Sequence, residues 1–169
     1  MTVALKADWV DTDIVVRVEV DRIEDFDAGQ FDVTYDADHL APVNVEDGEI
    51  TGASVPVDMW TEIEEGRLRI IVNAPGVARF SGYGHLAKVE FTPLTPDGET
   101  RIQVDNGYLN DYEGTKIPAK WKGVTTKLSP PSGGGFSFLW IWPLLGVLGV
   151  LGLIASARWF SRNYDIEWR

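Results

Sequence analysis

Up to about residue 129 the chain repeats one local pattern, in which short runs of alternating apolar and polar residues are separated by turn-forming clusters. The runs are Thr2 to Ala7, Ile14 to Val20, Gln30 to Tyr35, Val43 to Val45, Leu68 to Val72, Leu86 to Phe91, Arg101 to Val104 and Gly123 to Leu128. Each is rich in β-branched and aromatic residues and predicts a strand. The clusters Glu46-Asp47-Gly48, Asn73-Ala74-Pro75-Gly76, Pro96-Asp97-Gly98 and Asp105-Asn106-Gly107 predict the turns between them. No apolar stripe of helical period extends over three turns in this region. The expected fold is all-β, a sandwich of two packed antiparallel sheets.

In the stretch AGQFDVTYD, Phe31, Val33 and Tyr35 fall on one side of an extended chain and Gln30, Asp32 and Thr34 on the other. The first set suits a core. The second suits a polar surface, and what meets that surface is the functional question.

The pattern ends abruptly. Residues 130–135, Pro-Pro-Ser-Gly-Gly-Gly, can neither extend a strand nor pack as a helix and read as a linker after a domain of residues 1–129. Residues 136–157, FSFLWIWPLLGVLGVLGLIASA, are uncharged and about as long as the ~20 residues a helix needs to cross a bilayer core. Trp140 and Trp142 near one end, with Trp159, Arg158 and Arg162 at the other, fit an aromatic belt and a basic stop signal. The expectation is a single-pass cell-membrane anchor with a short cytoplasmic tail, 158–169, and the large domain outside the cell. The opening residues, MTVALKADWVDTD, do not read as a secretory signal, so a cytoplasmic domain on a tail anchor is the competing topology.

Composition narrows the function classes. A formal charge of −11 argues against nucleic acid or anionic lipid as the domain's main partner. The absence of cysteine removes disulfide, thiolate-metal and thiol chemistry. His39 and His85 have no spacing that places them on one metal, and no phosphate-cradle, nucleophile-elbow or zincin motif occurs. A non-catalytic binding module without a cofactor is therefore expected. Asn110 to Gly114 offers oxygen ligands of the kind calcium uses, but departs from the EF-hand pattern and reads better as a hydrogen-bonded turn.

The segments AGQFDVTYDADHL, VEDGEITG, GRLRIIVNAPG, SGYGHLAKVEFTPL and NGYLNDYEGTKIPA, in that order, resemble the cohesin domain. That family has a GxxFxLxYDPxxL strand and turn, a later GxGxLAxxxF strand and a terminal LxDxxGxxIP loop. The resemblance covers nearly all of Thr2 to Leu128 and implies a nine-stranded jelly roll, shared with some carbohydrate-binding modules. It implies as partner a dockerin, a small calcium-loaded helical module, received on the outward face of the sheet that contains AGQFDVTYD. Two positions where many cellulosomal cohesins carry Asn and Asp fall here on Ala28 and Gln30, which points to a divergent dockerin-like partner or another surface protein.

By alternation the partner-binding face holds Gln30, Asp32 and Thr34, then Arg69 and Ile71, then Leu86 and Lys88. Ile71 and Leu86 would be the apolar anchors in a polar rim, although isolated exposed apolar residues are ordinary. Asp36 is expected to bond backbone N–H groups of its turn, with Leu40 returning to the core. The alternative functions are polysaccharide binding, with Trp60 in the loop VPVDMWTEIEEG as the aromatic to watch, and a purely architectural surface domain.

Overall fold

The computed structural model describes residues 1–74 and 79–130. The rest of the expected linker, the expected span at 136–157 and the tail 158–169 lie outside the described residues. The strands are β1 (Thr2–Val10), β2 (Asp13–Thr34), β3 (Leu40–Ile50), β4 (Ala53–Val55), β5 (Val57–Glu64), β6 (Arg67–Asn73), β7 (Phe80–Pro93), β8 (Glu99–Asp111), β9 (Lys120–Lys122) and β10 (Val124–Lys127).

One strand serves two sheets. The first half of β2 pairs with β1 and with β7, giving the order β9-β1-β2-β7-β3-β4. The second half pairs with β6 and with β8, giving β5-β6-β2-β8-β10. Every pairing is antiparallel except β1 with β9. This is the expected jelly-roll sandwich.

The crossing from one sheet to the other is written in the sequence. Buried positions on β2 recur every second residue at Ile14, Val16, Val18 and Val20, then every third at Ile23, Phe26 and Gly29, and then every second again at Phe31 and Val33. Each three-residue step coincides with a register shift against β7 or β8, and Asp25 in the middle has φ +49°. Bulges of this kind bend a strand and let it turn a corner between packed sheets. Phe26, Phe31, Phe91, Ile14, Ile70 and Leu109 are fully enclosed between the sheets. Each contributes about 1.5–3 kcal/mol relative to an exposed position, whereas an exposed ion pair contributes about 0–1 kcal/mol. Core burial therefore sets the stability.

The Asp36 turn is as expected: Asp36 Oδ1 accepts from the Asp38 N–H at 3.0 Å, its carbonyl accepts from Leu40 at 2.9 Å, and Leu40 is buried. Asp111 closes the turn of the terminal loop, its Oδ1 accepting from the N–H groups of Glu113 and Thr115 at 3.0 and 2.8 Å.

Three local readings are corrected. Glu46-Asp47-Gly48 is not a turn but part of β3, and the reversal comes at Thr51-Gly52, both with positive φ. Asp105-Asn106-Gly107 is a bulge inside β8 rather than a turn, with Asn106 at φ +50°. The segment around Trp60 is not a loop; it is the edge strand β5, whose residues are exposed on both sides and so show no clean alternation.

Gly48 has a structural reason to be glycine. β7 carries an extra residue opposite β2 between Arg17 and Glu19, and on its other side this stretch faces β3, with Ala87 and His85 opposite Asp47 and Glu49. A Cβ at Gly48 would run into the His85 carbonyl and the Leu86 backbone. Gly48→Ala is expected to lower the domain's stability by about 2 kcal/mol through overpacking, read as a lower urea midpoint in the fragment of residues 1–130. An unchanged midpoint would show that the two strands do not approach this closely.

Candidate functional site

The outer face of the second sheet is built from β5, β6, the second half of β2, and β8. Residues directly opposite one another on paired strands share a face, so the register lays out rows across the sheet. Met59, Ile71, Gln30 and Tyr108 form one row, Thr61, Arg69, Asp32 and Asp105 the next, and Glu64, Arg67, Thr34 and Gln103 a third. Asn73, Ala28 and Asn110 lie beyond the first. Of the residues expected on the face, Gln30, Asp32, Thr34, Arg69 and Ile71 are brought together here.

Leu86 and Lys88 are not. They lie on β7, which belongs to the other sheet. Alternation assigned Leu86 outward because Ala87, Val89 and Phe91 point inward, and those three are indeed buried. The extra residue in β7 breaks the phase, so that Leu86 and Ala87 are consecutive and both fully buried. Lys88 is on the outer surface of the first sheet, its Nζ 3.4 Å from Glu46 Oε2. The apolar members of the true face are Ile71, Met59 and Tyr108, and the latter two are 49% and 45% exposed. Met59 was hidden because β5 lacks alternation. Tyr108 was hidden because it follows a bulge that resembles a turn.

Asp32 points outward and yet is fully covered. Arg69 Nε donates to its Oδ1 at 2.8 Å and Arg69 Nη2 to its Oδ2 at 3.0 Å, a bidentate pair that fixes the guanidinium flat on the sheet. Asn106 Nδ2 donates to Oδ2 at 2.9 Å, and Arg67 Nε lies 3.8 Å away. The positive φ of Asn106 turns this residue toward Asp32, and the next residue, Gly107, lies so close to the Trp121 indole that a Cβ would overlap the ring. Arg67 is held in turn by Glu64 at 2.6 Å, and Thr34 Oγ1 donates to Asp105 Oδ2 at 3.3 Å. Lys116 sits over the Tyr108 ring at 5.4 Å.

Asp32 is thus an organiser of the face rather than a group free for a partner. The Arg69 hydrogen bonds, opposed by burial and helped by Asn106 and Arg67, hold its carboxyl below the ordinary value of 3.8, and the same pair raises Arg69.

At the sheet's edge, Tyr35 Oη donates to Glu62 Oε1 at 2.6 Å, and the same oxygen accepts from the Gly66 N–H at 3.3 Å. Burial and this carboxylate push the Tyr35 phenol upward, so it remains a donor. The contact pins the β5–β6 hairpin to β2. Trp60 is 38% exposed and pairs with Ile70, which places it on the opposite side of the sheet from Met59, Ile71 and Tyr108. Trp60 and Tyr108 therefore do not share a platform.

A scan against family models matches the cohesin domain over residues 2–126. The chain is similar in structure to a non-cellulosomal cohesin from the hyperthermophilic archaeon Archaeoglobus fulgidus, with TM-score 0.61 and 17% identity over 75% of this chain and 88% of that one. It is similar to the cohesin module of a family 33 glycoside hydrolase from Clostridium perfringens, with TM-score 0.59 and 16% identity over 78% of this chain and 100% of the other. A third likeness is to the sixth cohesin of scaffoldin B from Acetivibrio cellulolyticus, determined in complex with a dockerin mutant, with TM-score 0.57 and 18% identity over 73% and 98% of the two chains. Comparison with curated proteins found no match.

Because the folded carboxyl of Asp32 lies below its unfolded value, its contribution to stability is fully present above about pH 4 and is lost as pH falls through the lowered value. Asp32→Ala is expected to cost about 2 kcal/mol at neutral pH by leaving its donors without an acceptor. It should also flatten the acid limb of the stability curve. Urea melts from pH 7 down to pH 2.5 would check this, and an unchanged acid limb in the variant would remove Asp32 from this role.

Proposed function

The chain belongs to the cohesin domain family, and from that premise we propose that it is a non-catalytic binding module that presents the face of β5, β6, β2 and β8 to a dockerin-like protein. We further propose that residues 136–157 hold it in the cell membrane with the domain outside. The observation that carries the binding reading is the row Met59, Ile71, Gln30, Tyr108, where three apolar or aromatic side chains lie beside a polar cluster already fixed by Asp32.

Interfaces concentrate their energy in a few desolvated apolar groups surrounded by polar residues that exclude water. Ile71 and Met59 are cross-strand neighbours and form one apolar centre; Tyr108, across Gln30, forms another. A partner helix lying across the strands would meet both. The arginines beside them are ordered before binding, so little side-chain entropy is lost on contact.

The sheet departs from many cellulosomal cohesins at Ala28 and Gln30, where Asn and Asp would supply polar contacts. Recognition here rests correspondingly more on the apolar row. That supports a divergent dockerin-like partner, and the similar Acetivibrio cellulolyticus cohesin, solved with a dockerin, supports the class. The membrane reading is supported by the length and lack of charge of residues 136–157 and by Arg158 and Arg162 after them.

Titration of calcium-loaded dockerin modules into the fragment of residues 1–130 tests the binding face. Ile71→Asp is expected to weaken capture by about 2 kcal/mol or more, roughly 30-fold, with the fold intact. Leu86→Asp, by contrast, should unfold the domain, since it buries a charge in the core. Undiminished binding by the Ile71 variant would displace the proposed face, and failure of every dockerin class to bind the unaltered domain would displace the partner. The anchor has its own test: the full chain should stay with membranes in high salt, because burial of an apolar span is not screened. Release by salt alone would end that reading.

A further inference from the structure

We propose that the end of the sandwich from which the chain leaves is a second interaction surface, one that rests directly on the lipid bilayer; this inference depends on the membrane anchorage proposed above. The site is a shallow groove of about 400 Å³ whose apolar lining is Trp9, Pro93, Leu94, Pro96, Leu128 and Pro130. Leu94 is 54% exposed, among the most exposed large apolar side chains of the described residues. The Trp9 indole N–H reaches the Lys127 carbonyl at 3.3 Å, so the ring is fixed at the tip.

The position of the groove names its occupant. Pro130, the last described residue, is part of its wall, and the uncharged stretch begins at Phe136, six residues further on. Six residues span at most about 20 Å when fully extended. The groove is therefore held within that distance of the bilayer surface, and a short tether supplies an effective concentration of order millimolar. Even a weak apolar contact is then occupied. A rigid tryptophan with proline and leucine around it is the side-chain chemistry that settles at the boundary between headgroups and acyl chains. The carboxylate of Asp11 lines the same groove, and Asp97 and Glu99 follow the Pro93–Pro96 wall in sequence. Acidic neighbours disfavour anionic headgroups, so the surface fits a zwitterionic bilayer.

The chain has no cysteine, so a single one can be placed and labelled without background. In full-length protein reconstituted into phosphatidylcholine vesicles, an environment-sensitive fluorophore on Leu94→Cys is expected to shift to the blue and to be quenched by lipids that carry a spin label on the acyl chain. The same fluorophore on Tyr83→Cys, 72% exposed and about 30 Å away along β7, should remain in water and unquenched. Adding Pro96→Asp, a change in the groove's own wall, to the Leu94→Cys protein should return its fluorophore to water. If the protein enters vesicles but both fluorophores remain aqueous, docking is overturned while the anchor stands. A blue-shifted fluorophore that lipid quenchers do not reach means that protein covers the groove, which also overturns it. A chain that fails to enter the vesicles refutes the anchor reading and this inference with it.

Discussion

Strand β2 is the constraint from which the rest of the structure follows. A single run of backbone from Asp13 to Thr34 is hydrogen-bonded on both sides along most of its length, to β1 and β7 in its first half and to β6 and β8 in its second. Every other strand is placed by its distance from this one. Because the backbone is continuous, the two sheets cannot slide or rotate independently, and the bend between Val20 and Ala28 sets how one lies over the other. The bend is specified by side chains rather than by a flexible hinge. Ile23, Phe26 and Gly29 each take an inward position three residues after the previous one, and two of the three are large enough to make any other phase expensive.

The candidate face inherits its rigidity from that strand. Asp32 lies next to Phe31 and Val33, both fully buried, so its Cα position is fixed from below by the core. From that fixed point it gathers Arg69, Arg67 and Asn106 from the strands on either side. A buried carboxylate with one hydrogen-bonding partner would be a net cost. With a bidentate guanidinium and an amide it is satisfied, and what it provides is geometry: β6 and β8 are held to β2 by side chains as well as by backbone. The exposed row of Met59, Ile71 and Tyr108 is therefore mounted on a surface that is already ordered.

The sequence was legible wherever the period of two was unbroken. Gln30 to Thr34 and Arg69 to Ile71 were assigned to the correct side, because nothing interrupts alternation within them. It misled wherever one residue was inserted. At Leu86 the insertion breaks the phase of inside and outside, and nothing in the alternation of Leu86 to Phe91 announces it. The same kind of insertion at Asn106-Gly107 looked like a turn, since bulges and turns both draw on residues that accept positive φ. β5 was missed for another reason. An edge strand exposed on both sides has no core to impose a pattern, so strand and loop look alike. The proposed membrane span and its orientation rest on the sequence alone.

The character of β5 also bears on why the candidate face, and not the edge, is the surface proposed for a partner. Its outer backbone edge has no paired strand among the described residues, and Met59, Trp60 and Ile63 are exposed along it. Such an edge invites pairing with another chain. Two register shifts, at Val57/Met59 and Glu62/Glu64, break the flat run of hydrogen-bonding groups that an incoming strand needs. Asp58, Glu62, Glu64 and Glu65 add like charges that repel a second copy of this acidic chain. One of these carboxylates, Glu62, is also the acceptor that ties to Tyr35 the hairpin carrying Met59 and Ile71. Protection of the edge and attachment of the hairpin therefore share one residue, Glu62, which acts in the first by its charge and in the second as a hydrogen-bond acceptor.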